Sequence, residues 1–428
     1  MKKIVGLFLS FVMMLGVVAC GDNKSNSDAS DEQTTLTFWG HQNEAWNEAY
    51  REVAKKFEEE NENIKINFEF FPYDQFESKV QTSLMSDGDG ADIYELWGGW
   101  GIDFAPTGAL APITKDIQEN IEANYYEPTY GSLMHEGALY GFPLEFNIEY
   151  GGMLINDTLM NEYGLKAPTT WEELRATALD ATKMEGNTYI TKGFDFVNWD
   201  SVPYIFSSMI MTQGASYMNE DGTFNFQTPE AKKALQELYD MVSIDKVTDL
   251  EGLTGGGELE GYQQLFVGNT VMVPRGPWTI SEGEFSFGLE YGKDFEYVGM
   301  PWYGDTPSFA AETGWSIAVN GNTKEQEAAM KFVEFFSQED ILLDFNVACA
   351  QIPADKNVAT DPEFVEKMEF AAPLVDILEY GHFIGYFNTD VYKEEINDMF
   401  VKLNSSTYTT VDEALAALEK SLNDKINK

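Results

Sequence analysis

The chain has 428 residues and a formal net charge of −45, from 72 acidic against 27 basic side chains. That balance argues against nucleic acid or an anionic membrane surface as a partner, since both are held by basic patches. Hydrophobic residues make up 43 % and aromatics 14 %, ample for the cores of two or three domains.

In chain order, Lys2 and Lys3 precede an apolar run from Ile4 to Val18, which ends at Val17-Val18-Ala19-Cys20. Positive charge, apolar stretch and small residue before a cut describe a secretory signal. The run is shorter than the roughly 18 residues of a spanning helix. Val-Val-Ala-Cys resembles the lipobox of bacterial lipoproteins, which implies a signal over 1–19 and a lipidated Cys20 as the first mature residue. Two or more acyl chains would hold it stably on the outer face of the cell membrane. Residues 20–33 continue as GDNKSNSDASDEQ after the cysteine, too polar to offset their ordering entropy, and predict a flexible tether. Cys349 is the second of two cysteines and sits among Val347, Ala348 and Ala350, which predicts a buried structural thiol.

Thr35 to Trp39 is a short β-rich run. Trp46, Tyr50, Val53 and Phe57 then recur on one helical face, and Ile64, Ile66, Phe68 and Phe70 alternate as in a half-buried strand. Phe76, Val80 and Leu84 mark a second helix, with Asp74 as its expected cap. Ile93 to Leu96 reads as another strand. Strands alternating with helices predict an α/β fold with a parallel sheet, whose ligands bind beyond the carboxyl ends of the strands. The loops His41–Trp46 and Trp97–Trp100 are therefore candidates. Further on, Thr170 is an expected helix cap, Pro229 opens a helix with Ala234, Leu235 and Leu238 inward, and Thr323 precedes one with Ala329, Phe332 and Phe336 inward. The last helix begins near Val411. TGGGELEG at Thr254–Gly261 reads as a mobile loop.

These segments resemble, in order and spacing, the extracellular solute-binding proteins of ABC importers, in the branch of the maltose-binding protein. The resemblance is carried by TFWG at Thr37–Gly40, ADIYELW at Ala91–Trp97, LYGFPLE at Leu139–Glu145, GLKAPTTWEEL at Gly164–Leu174, VMVPRGPW at Val271–Trp278, TGWSIAVN at Thr313–Asn320 and TVDEAL at Thr410–Leu415. It implies two α/β lobes around a cleft with a multi-strand hinge. Lobe one would be 34–144 plus 303–350 and lobe two 145–299 plus 353–428, with crossings near Pro143, Met300 and Ile352. It also implies hinge closure on a sugar, an oligosaccharide in particular, delivery to ABC permease subunits, a monomeric state, and neither catalysis nor a cofactor.

A sugar packs its C–H face on an aromatic ring and sets its hydroxyls against carboxylates and amides. Trp278 follows Arg275-Gly276-Pro277, where the family places a sugar-stacking tryptophan. Trp97 and Trp100 flank Gly98-Gly99 after a strand. Trp199 and Asp200 lie in FDFVNWDSVPY, matching a loop of lobe two. His41 and Glu44 follow the first strand, although Glu44 also suits a helix N-terminus. Glu145 and Asn147 adjoin the first crossing, Trp315 sits in TGWS, and Tyr386 sits in GHFIGYFN. Trp46 and Trp171 read as helix packing.

A surface glycoside hydrolase is the second reading, because platforms and carboxylates serve both. A binder of a non-sugar solute on the same fold is the third. His41, His135 and His382 lack zinc spacing, and the Asp87–Asp92 run has Gly98 where a calcium loop needs glutamate, so no metal is expected.

Overall fold

The computed structural model describes residues 33–86, 90–149, 151–255 and 259–426. The expected signal, Cys20, the expected tether up to residue 32 and residues 256–258 of the expected mobile loop lie outside the described residues.

The chain opens with β1 (Thr34–His41), which buries Leu36 and Phe38, and α1 (Glu44–Glu60), which buries Trp46, Tyr50, Val53 and Phe57. Asn43 caps α1 by accepting the Trp46 N–H at 3.3 Å. In β2 (Ile64–Phe71), Ile66, Phe68 and Phe70 pack on the core while Asn67 and Glu69 face out. α2 (Tyr73–Met85) buries Phe76, Val80 and Leu84. It begins one residue ahead of Asp74. The cap position belongs to Pro72, whose ring holds φ at −51° and leads directly into the first turn, so the expected Asp74 cap is corrected. β3 (Ile93–Trp97) follows.

The later elements used below are β4 (Phe142–Pro143), β5 (Gly152–Ile155), α3 (Trp171–Ala181), α4 (Ser201–Thr212), α5 (Pro229–Ser243), β6 (Met272–Val273), β7 (Glu296–Gly299), β8 (Phe309–Ala311), β9 (Trp315–Val319), α6 (Gln326–Phe336), α7 (Glu339–Cys349), β10 (Gly381–Phe383), α8 (Thr389–Asn404) and α9 (Val411–Lys425). Threonines 170, 228 and 410 cap α3, α5 and α9 by accepting backbone N–H groups. Thr323 precedes α6, as expected, but does not occupy its cap position, which belongs to Glu325. The Thr323 hydroxyl instead accepts the Glu325 N–H at 3.1 Å and donates to Asp92, fixing a turn ahead of the helix.

Two sheets organise the fold. The first has the order β2-β1-β3-β9-β4 and the second β6-β5-β7. β1 runs parallel to β2 and β3, as the alternation of strands and helices predicts. β9 is antiparallel to both β3 and β4, so the sheet is mixed. A parallel neighbour needs a crossover connection. β9 instead arrives from the region of the second sheet, with no helix between β8 and β9.

Aromatic burial dominates the first core: Phe38 meets Tyr50 at 4.8 Å between centroids, and Phe57 meets Phe332 at 5.2 Å. Each such ring contributes about 1.5–3 kcal/mol on burial. A second buried cluster joins α4, α5, α8 and α9 through Phe206, Leu238, Phe400 and Leu418. Tyr303 packs edge-on against Trp171 at 5.4 Å and β8 runs along α4, so this stretch sits with the second cluster. Cys349 ends α7 and is buried, as expected; burial, with the fields of Glu95 and Glu145, pushes its thiol well above the ordinary range.

Candidate functional site: an aromatic floor joined to a buried charge network

The carboxyl ends of β1 and β3 meet the start of β9, where Trp315 lies opposite Trp97 in register. The His41 ring stacks on Trp315 with centroids 4.6 Å apart and planes 13° apart. Trp97, Trp100 and Tyr73 meet the same indole edge-on at 5.3, 6.1 and 6.3 Å. Offset and edge-on rings gain beyond their buried area, so the floor is rigid.

Glu95, fully buried within β3, locks His41 in place. Its carboxylate lies 2.8 Å from His41 Nδ1 and accepts the His41 backbone N–H at 2.7 Å and the Tyr50 hydroxyl at 3.1 Å. The Trp315 backbone N–H donates to Glu145 Oε1 at 3.0 Å. A side chain at position 314 would stand 2.6 Å from Glu145 Oε1 and 3.0 Å from Asn147 Cβ. Glycine is therefore what lets Glu145 and Asn147 close against the floor. Burial pushes the Glu145 carboxyl up to about 8; the Trp315 N–H opposes this, and Glu149 and Glu95 add to it.

From the floor a chain of polar contacts runs to the other side of the site. The Trp97 indole N–H donates to Glu312 Oε1 at 3.2 Å. Glu312 is 1 % exposed and also accepts the hydroxyls of Tyr204 and Thr389, with Lys393 Nζ at 3.4 Å. Gly99 makes room for it, since a Cβ there would lie 2.5 Å from Glu312 Oε1. Lys393 reaches Asp200 at 3.5 Å and Asp390 at 3.4 Å. Burial works against its ammonium, but Glu312, Asp200 and Asp390 outweigh that and hold it well above the ordinary lysine range. Asp200 accepts Arg275 at 3.0 Å, Arg275 pairs with Glu149 at 3.3 Å, and Glu149 takes the Trp278 indole N–H at 2.8 Å. The Arg275 guanidinium lies 5.2 Å from the Trp278 ring and 5.5 Å from Tyr262. Tyr73, on α2 of the first sheet, is within the electrostatic reach of Lys393, Asp200 and Asp390.

The network thus brings together His41, Trp97, Trp100, Glu145, Asn147, Asp200, Trp278 and Trp315, with Trp199 adjoining Asp200. Four of these are nearly closed to solvent: His41 is 8 % exposed, Trp100 6 %, Glu145 4 % and Trp315 9 %. They support the surface, while Trp97, Asn147, Asp200 and Trp278 are partly open. Trp199 is 51 % exposed and sits at φ +69°, a left-handed conformation that bulky side chains rarely adopt. Asn397 Nδ2 holds its carbonyl at 2.6 Å. Glu44 is exposed in the first turn of α1, and exposed Tyr386 lies 3.2 Å from His135 Nδ1. Neither joins the network. Glu149, Glu312 and Lys393 do join it, and no sequence signal set them apart from the many surface charges. Trp46 and Trp171 are buried helix packing, as expected.

Residues 42–341 match the family model for the bacterial extracellular solute-binding protein. The chain belongs to this family. A binding protein of Brucella abortus (strain 2308) is 27 % identical over 356 residues, covering 81 % of this chain and 82 % of its own. The arabinooligosaccharide-binding protein of Bacillus subtilis (strain 168) is 27 % identical over 273 residues, covering 61 % and 59 %. Among solved structures, the GacH receptor of Streptomyces glaucescens, determined unliganded and with acarbose, has a TM-score of 0.75 at 20 % identity, covering 92 % of this chain and 99 % of its own. The solute-binding protein therefore has the two-lobe α/β fold expected from its sequence. Among the described residues, no helix is long and apolar enough to cross a membrane.

Proposed function

We propose that this solute-binding protein captures a sugar, an oligosaccharide in particular, between its lobes and passes it to the permease subunits of an ABC importer. One observation carries the reading: the partly open rings of Trp97 and Trp278 are both anchored through their indole N–H groups to carboxylates of one network, buried Glu312 and partly buried Glu149. Anchored rings offer stacking faces for sugar C–H groups, and the polar groups beside them suit hydroxyls. Trp199 and Asp200 add a third ring and an acceptor. His41, Trp100, Trp315 and Glu145 hold the floor from behind, with Asn147 at its edge; Glu44 and Tyr386 stand further out as rim contacts. The arabinooligosaccharide-binding relative supports the choice of ligand class.

Lobe one then spans about 34–144 and returns at β9, and lobe two begins about 145 and keeps β8, because Tyr303 and β8 pack on Trp171 and α4. Anchoring through a lipidated Cys20 completes the picture of a monomer tethered outside the cell membrane. Hydrolysis is disfavoured, since Glu149, Asp200 and Glu312 are each engaged by protein donors rather than left facing a scissile bond. Calorimetry of the soluble form beginning at Gly21 against an oligosaccharide panel, with product analysis, tests this. Binding without cleavage is expected. Cleavage products would establish the hydrolase, and no binding by any sugar would turn the reading to another solute.

A further inference from the structure

A cavity of about 660 Å³ lies on the flank of this site, in a part of the chain to which neither the resemblance nor the network assigns a ligand. Its size falls within the usual range for small-molecule pockets, about 300–1,000 Å³. The wall carries Lys192, Asp195, Asp249, Asn198, Gln264 and Asn269. Lys192 Nζ sits 3.1 Å from Asp195 and 2.8 Å from Asp249, and Thr248 donates to Asp195 at 2.7 Å, so this part of the wall is a fixed cluster. Four carboxylates, Asp195, Asp249, Glu251 and Glu260, line it against the one ammonium of Lys192, which disfavours an anion. Lys192 is paired with Asp195 and Asp249, and among the described residues no group of acids is placed to hold a metal ion. Amides and carboxylates in this mixture suit a neutral, hydroxyl-rich ligand.

The cavity adjoins the cleft network at two places. Asn198 lines the cavity two residues before Asp200, which accepts Arg275 within the network, with exposed Trp199 between them; Gly261 lines it and the next residue, Tyr262, packs on Trp278 at 5.3 Å. We propose that this cavity is an outer subsite, which takes the far units of a longer or branched oligosaccharide whose near units lie in the cleft. The proposal rests on the sugar-binding reading above. It makes ligand length, read beyond Trp199, a determinant of affinity.

Thr188 lines the cavity on an exposed hairpin position, so Thr188→Trp fills the mouth without entering a core. Asn198→Ala removes one exposed polar group from the wall. A glycan array on the wild type identifies the best-bound oligosaccharide series, and calorimetry then compares members of that series by length on all three proteins. Thr188→Trp should leave the shortest binding member within about twofold and weaken the longest by about tenfold or more, a change of about 1.4 kcal/mol. Asn198→Ala should shift the same members in the same direction by less. Unchanged affinity at every length in both variants overturns the subsite, and so does an equal loss at every length. A wild type that binds no glycan on the array overturns the sugar reading itself, before any variant is compared.

Discussion

Lys393→Met should destabilise the protein strongly, and Glu312→Gln should relieve part of the damage. Lys393 is 6 % exposed and lies 3.4 Å from Glu312, 3.5 Å from Asp200 and 3.4 Å from Asp390. At 3.4 Å and an effective dielectric of about 20, one such pair attracts by about 5 kcal/mol before desolvation is counted. Asp200 keeps Arg275 after the change, and Asp390 is half exposed, so most of the effect falls on Glu312. Breaking a buried pair while one charge remains costs about 3–5 kcal/mol. Urea unfolding of wild type, both single variants and the double variant forms a complete cycle. The expected result is a loss of about 3–5 kcal/mol for Lys393→Met and a coupling of at least about 1 kcal/mol, with the double variant more stable than the sum of the singles predicts. A Lys393→Met loss below about 1 kcal/mol, or strict additivity, would refute the buried network as described.

Three further outcomes follow from the same geometry. Glu145 has a folded pKa of about 8 against an ordinary value of 4.5; the unfolded chain releases its proton first, so stability falls as pH rises between those values, by up to about 1.4 kcal/mol per unit. Glu145→Gln should flatten that slope in unfolding measurements from pH 5 to 8, and an unchanged slope would reject the assignment. Trp278→Ala should weaken oligosaccharide binding by about thirtyfold or more, from about 2 kcal/mol for a buried anchor; unchanged affinity with lowered melting temperature would make Trp278 a scaffold residue. Cys20→Ser should release the protein from the membrane fraction or leave it unprocessed, and normal retention after detergent-free washing would reject the lipid anchor.

Local elements were legible because their signals are local. The alternation of Ile66, Phe68 and Phe70 and the face of Trp46, Tyr50, Val53 and Phe57 each follow from one strand or one helix meeting a core. The direction of β9 was not legible, since it depends on which sheet the chain leaves before entering this one. Trp278 and Trp315 were reached through the resemblance, and Trp97 and Trp100 through the strand end and glycines beside them, but exposure was not legible: Trp315 lies under His41 rather than open to ligand. Glu312 and Lys393 were hidden for a different reason. In a chain with 72 acidic residues, a buried carboxylate has the same one-letter signature as a solvated one, and its partners at 97, 204, 389 and 393 are brought together only by the fold.

Capture between two lobes requires that ligand favour the closed arrangement over the open one. Small-angle scattering of the soluble form from Gly21, with and without a saturating oligosaccharide, measures this most directly. The account predicts a smaller radius of gyration in the bound protein. Saturated binding with an unchanged radius would contradict it.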